Sequence, residues 1–169
     1  HLNGVTDEEI KQGMASFRGV DRRFDFKIKT DKLVFLSDYA HHPAEIAQSV
    51  KSIRELYKDK KITAIFQPHL YTRTKDFYKD FADSLSLLDE VILTEIYPAR
   101  EQPIPGVSSR LIYDNLRPGI EKCICKKEDI PALLAKKPIE VLIVLGAGDL
   151  DNYVPSITQL LEQRANSES

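Results

Sequence analysis

The chain has 169 residues, 42% of them hydrophobic and 30% charged, with a formal net charge of −2. This is the profile of one ordinary globular domain with a core of useful size, and it lacks the basic footprint of a nucleic-acid binder. No apolar stretch approaches the roughly 20 residues of a membrane-spanning helix, and the first residues do not resemble a signal peptide, so a cytoplasmic protein is expected.

The opening "VTDEEIKQGMASF" reads as a short helix, with Thr6 as a cap and Glu9 three residues on. Two β runs flank "KTDK" and give a hairpin signal. Next, "AEIAQSVKSIRELYK" sets Ile46, Ala47, Val50, Ile53 and Tyr57 on one helical face. "ITAIF" reads as a buried strand. "KDFYKDFADSLSLL" is a second amphipathic helix, carrying Phe77, Phe81, Leu85 and Leu88. "EVILTEI" and "EKCICKK" are strands on either side of a short helix in "SSRLIYDNL". A helical "DIPALLAKK" leads to the strand "EVLIVL", and "DNYVPSITQLLEQ" closes the chain as a helix with Pro155 in its first turn. The tail "RANSES" is expected to fray. This alternation predicts a Rossmann-like, three-layer α/β domain. Its sheet has about six strands, mostly parallel with one antiparallel, and helices on both faces.

Such sheets bind ligands beyond the carboxyl ends of their strands. Polar clusters fall there four times: Asp38-Tyr39-Ala40-His41-His42, Gln67-Pro68-His69 with Arg73, Tyr97-Pro98-Ala99-Arg100-Glu101, and Gly146-Ala147-Gly148-Asp149. Three of the four histidines lie in the first two clusters. With Arg22, Arg23, Arg73 and Arg100 they form a donor-rich set suited to phosphate or carboxylate. Each group also has a plain structural reading. Asp38 and Asp149 can cap helices, Pro43 suits a helix start, "GAGD" suits a tight turn, and Arg73 can pair with Asp76. No GxxxxGK[ST] phosphate loop occurs in the sequence. Cys123 and Cys125 stand at i and i+2 in a strand pattern, too far apart to bridge, and read as reduced packing thiols.

The stretches "GVDRRFD", "SDYAHHPAEI", "FQPHLYTRT", "IYPAREQPIPGVSS" and "VLGAGD" resemble, in order and spacing, the Mur ligases of peptidoglycan synthesis. The likeness covers residues 2–160 and is to the branch that joins L-alanine to UDP-N-acetylmuramate through an acyl phosphate. It implies that residues 1–20 are the last helix of a preceding central ATPase domain, and that residues 21–169 are the C-terminal Rossmann-like domain. It implies further that ATP and Mg2+ are bound mainly by the central domain. The partners it implies are UDP-N-acetylmuramate, L-alanine, ATP and the central and N-terminal domains of the same chain. Neither nucleic acid nor membrane insertion is expected. By the same resemblance Arg23 and Asp38 would contact ATP, at its phosphates and ribose. Tyr39, His41, His69 and Arg73 would line the substrate pocket, with Arg73, His41 and His69 catalytic and no residue here binding metal. His42 and Arg100 are further candidates. Ser37 and Leu70 depart from the family pattern, which usually has an aspartate and often a basic residue at those positions. A tripeptide-recycling ligase of the same family, or a nucleotide-binding module without chemistry, are the alternative readings. The isolated domain is expected to be inactive.

Overall fold

In the computed structural model, which describes Thr6 and residues 23–167, six strands form one sheet. They are β1 (Asp25–Lys29), β2 (Val34–Asp38), β3 (Ile62–Phe66), β4 (Glu90–Leu93), β5 (Glu121–Ile124) and β6 (Val141–Leu145). The helices are α1 (Pro43–Leu56), α2 (Tyr71–Leu85), α3 (Arg110–Asn115), α4 (Ile130–Leu134) and α5 (Val154–Ser167). The expected helix and domain boundary within residues 1–20 lie, apart from the exposed Thr6, outside the described residues.

The sheet order is β1-β2-β6-β3-β4-β5. β1 pairs antiparallel with β2, and every other pairing is parallel. Side chains alternate between two cores because the strand period is two. Leu36, Ala64, Phe66, Val91, Leu93 and Ile143 face one core, closed by Ile46, Val50 and Ile53 of α1 and Phe81 and Leu85 of α2. Phe35, Ile65, Ile92, Leu142 and Val144 face the other, closed by Ile130 and Leu134 of α4 and Ile157 and Leu161 of α5. Helices therefore cover both faces, as the alternation predicts. Ile46, Val50 and Ile53 are fully buried, each contributing about 1.5–3 kcal/mol of burial.

Several boundaries differ from the sequence reading. β4 ends at Leu93; Thr94 N–H still donates to Phe66 O, and a long loop at the carboxyl edge follows. α2 starts at Tyr71, before the apolar repeat begins, so its first turn is polar. α5 continues through "RANS" to Ser167 instead of fraying. Arg164 Nη1 holds it by donating to the carbonyls of Leu134 and Lys137, at 2.7 and 2.8 Å. Cys123 and Cys125 are free thiols packed against the same core. Burial, with Cys123 and Asp129 nearby, pushes Cys125 up to about 11.

Candidate functional site

β6 is inserted between β2 and β3, so the loops leaving these three strands stand side by side. Backbone pairing continues beyond the strands and locks the loops together. Gly146 N–H donates to Asp38 O, Gln67 N–H to Leu145 O, and Thr94 N–H to Phe66 O, at 3.1–3.2 Å. Farther out, Tyr97 N–H donates to Pro68 O at 2.8 Å, and Leu70 N–H donates to Tyr97 O at 2.9 Å. The four polar clusters thus share one edge, at the point where strand order reverses.

The β2 loop is built around two carboxylates. Asp38, 8% exposed, accepts from Ala40 N–H at 3.1 Å and from Ser49 Oγ at 2.5 Å, tying the loop to α1. Glu45, in the first turn of α1, accepts from the backbone N–H groups of both His41 and His42. These bonds, His41's first, outweigh the opposing effect of burial and hold the Glu45 carboxyl below its ordinary value. Pro43 at the helix start and Glu45 three residues after His42 are legible as a start signal, although Glu45 is absent from the sequence-derived candidates.

His41 Nδ1 lies 3.0 Å from Tyr39 O and 3.5 Å from Glu45 Oε2. Both oxygens only accept, so Nδ1 carries the hydrogen and Nε2 of the neutral ring keeps its lone pair. His69 is the converse. Its Nδ1 lies 3.3 Å from Arg73 Nη1, and a guanidinium only donates. The hydrogen of neutral His69 is therefore on Nε2. Burial first, then the charges of Arg73 and His41, lower the His69 pKa, with Glu101 opposing them. The rings form a chain: Tyr39 to His41 at 5.2 Å, His41 to His69 at 5.8 Å, and His69 to Tyr97 at 5.5 Å.

Arg73 reaches this group because α2 starts abruptly after His69. Leu70 has φ 73°, a strained value for a side chain with a Cβ, and it offers no side-chain cap. Glu101, arriving from the β4 loop, supplies the cap: its carboxylate accepts from Thr72 N–H at 3.0 Å and Thr72 Oγ1 at 2.5 Å. His69 and Arg73, on either side of this junction, come within 3.3 Å of each other. Arg73 meets His69 and not Asp76, which removes the surface-pair reading.

The structure brings together Tyr39, His41, His69 and Arg73. Asp38 and Arg23 lie apart from His69 and Arg73, lining a cavity of about 630 Å³ with Phe24, Tyr39, Gln48 and Ser52. Tyr39 belongs to both groups. His42 turns away onto Phe77, with ring centroids 5.2 Å apart, and Arg100 is exposed. Sequence reasoning missed the framework: Gln67 Nε2 donates to Asp149 Oδ1 at 2.8 Å, and Lys127 Nζ lies 2.5 Å from Asp149 Oδ2. Among the described residues, no three His, Cys, Asp or Glu side chains gather where they could hold a metal ion. No helix among them is long and apolar enough to cross a membrane.

Comparison with known proteins matches residues 22–148 to the family described as Mur ligase, glutamate ligase domain. The chain is 77% identical over 163 residues to a UDP-N-acetylmuramate–L-alanine ligase of Phocaeicola vulgatus, covering 96% of this chain and 36% of that protein. A Parabacteroides distasonis protein of the same name is 56% identical over 160 residues, covering 95% and 34%. The crystal structure of a UDP-N-acetylmuramate–alanine ligase from Thermotoga maritima matches with a TM-score of 0.73 at 26% identity, covering 98% of this chain and 35% of that one. The chain thus spans about a third of the length of these relatives.

Proposed function

The chain belongs to the Mur ligase family through its glutamate ligase domain, and we propose that it is the C-terminal domain of a cytoplasmic, ATP-dependent ligase joining L-alanine to UDP-N-acetylmuramate. The observation that carries this reading is 77% identity across 96% of the chain to a protein of that name. In the proposed reaction the muramoyl carboxylate takes the terminal phosphoryl group of ATP, giving an acyl phosphate. The amine of L-alanine then attacks the acyl carbon. A C–N bond forms and the C–O bond to phosphate breaks; of the two hydrogens on the attacking amine, one leaves as a proton with the phosphate and the other stays on the amide nitrogen.

Alanine arrives as an ammonium ion and must first lose a proton. The Nε2 lone pair of His41 suits that acceptor role, and the Nδ1–H bond to Tyr39 O keeps it in that tautomer. Arg73 suits the substrate carboxylate or the developing oxyanion, with neutral His69 holding its guanidinium in place. Tyr39 packs against His41 and lines the neighbouring cavity, linking the two halves. In that cavity Arg23 would meet the ATP phosphates and Asp38 the ribose hydroxyls. Magnesium would neutralise the phosphates and is assigned to the central domain of the parent protein.

The test uses the full-length parent protein. Phosphate release from ATP should require both UDP-N-acetylmuramate and L-alanine. Turnover with the recycled tripeptide and not with alanine would replace this reading with the recycling ligase. ATP binding without turnover on either would leave a nucleotide-binding module.

A further inference from the structure

We propose that Tyr97 is a positioning residue, which sits against Gly148 and fixes the plane of the His69 ring, and through it the Arg73 guanidinium. The inference rests on the reading of His69 and Arg73 as working residues of the site.

Tyr97 is bound to His69 twice. Their backbones form an isolated parallel bridge, with Pro68 O and Leu70 N–H bonded to Tyr97 on either side. Their rings stack at 5.5 Å with only 27° between planes, whereas His41 meets His69 edge-on at 65°. Stacking fixes the tilt of the imidazole, and the tilt decides where the Nδ1 lone pair points. It points at Arg73 Nη1, 3.3 Å away.

The seat of Tyr97 explains a glycine. Gly148 has φ −88°, a value open to any residue, so its backbone does not require glycine. Space does. A Cβ there would stand 2.9 Å from Tyr97 Cβ and Cγ and 2.3 Å from Gln67 Oε1. Gln67 cannot yield easily: its Oε1 accepts from Leu150 N–H at 3.0 Å and its Nε2 donates to Asp149. Any side chain at position 148 therefore pushes Tyr97, and Tyr97 carries the push to His69. The charged and titratable groups facing His69 are Arg73 of α2, His41 of the β2 loop and Glu101 of the β4 loop. Tyr97 is the neutral wall that keeps the ring among them.

The test is 15N-detected imidazole NMR on this chain, paired with kinetics of the full-length parent. In the wild type His69 should hold its hydrogen on Nε2. In Tyr97→Leu, which fills space without a π face, the tautomer preference should weaken and the titration midpoint should rise. Gly148→Ala should move His69 in the same direction with Tyr97 intact, while Tyr97→Phe should keep the wild-type pattern. His42, stacked elsewhere on Phe77, is the internal control. A folded Tyr97→Leu or Gly148→Ala protein whose His69 signals and titration match the wild type overturns the inference. In the parent, Tyr97→Leu should lower kcat roughly 10- to 100-fold without changing the KM for ATP. Altered His69 signals with undiminished turnover would uphold the positioning and instead sink the catalytic reading of His69.

Discussion

Arg73 Nη1 stands 3.3 Å from His69 Nδ1, and because a guanidinium can only donate, the contact exists only while His69 is neutral. Protonating His69 removes the acceptor and sets two cations side by side. Burial, Arg73 and His41 already hold the His69 pKa below the ordinary histidine value.

The pH dependence follows with a definite sign. Between the folded and the ordinary histidine pKa, the unfolded chain binds more protons at position 69 than the folded one. This contribution to stability is therefore full above the ordinary value and declines as pH falls towards the folded one. Activity of the parent enzyme should decline along the same acid limb. His69→Gln should flatten that limb, as read from kcat/KM against pH.

Arg73→Ala in the parent should reduce kcat/KM for alanine or the sugar substrate roughly 10- to 150-fold. This corresponds to a lost charge-assisted bond of about 1.5–3 kcal/mol. The KM for ATP should hardly change. Arg73→Lys should recover little, since a point charge does not reproduce the planar fork. Near-normal turnover in a folded Arg73→Ala enzyme would remove Arg73 from the reaction.

Asp38 has two duties that can be separated. Asp38→Asn keeps an acceptor for Ala40 N–H and fills the same volume, so the β2 loop should survive. Its KM for ATP should rise while that for alanine stays. Asp38→Ala also strands Ala40 N–H and Ser49 Oγ in a buried setting, costing about 1–3 kcal/mol in thermal or denaturant unfolding. An unchanged KM for ATP in Asp38→Asn would confine Asp38 to the structural duty.

At the opposite edge of the sheet, Glu90 is 2% exposed and meets Lys137 at 2.5 Å and Lys61 at 3.2 Å. Burial alone would raise its pKa, but the two lysines outweigh burial and bring it below the ordinary value. Its stabilising contribution is present above the unfolded glutamate pKa and is lost as pH falls through the folded one. Glu90→Gln should cost about 1–3 kcal/mol at neutral pH, and less in acid, by denaturant titration. Equal losses at both pH values would contradict the ion-pair account.

The fold was legible wherever one period dominated. "VLIVL", "ITAIF" and the Ile46–Val50–Ile53 face announce themselves, because burial demands a repeat of 2 or 3.6. The start of α2 was not legible, since its first turn, "YTRT", is polar and is set by Leu70 strain and a glutamate 29 positions away from Thr72. The end of α5 was hidden likewise, being held by Arg164 on carbonyls of another element. The site divides the same way. Histidines and arginines at strand ends mark themselves by residue type. Gln67 finds its partner Asp149 82 residues downstream, and only the fold reveals that meeting. Glu45 was the readable omission, a local signal three residues from His42.

The antiparallel pairing of β1 with β2 has a mechanical consequence. Asp25 sits opposite Ser37, so the chain arrives in the domain beside the carboxyl end of β2, at the rim of the Asp38 cavity. A parallel first strand would deliver it to the far edge, a strand length away. Arg23 and Phe24, just ahead of β1, are therefore part of the pocket wall itself, and a force on this entry point falls on the lip of the pocket before it reaches the sheet.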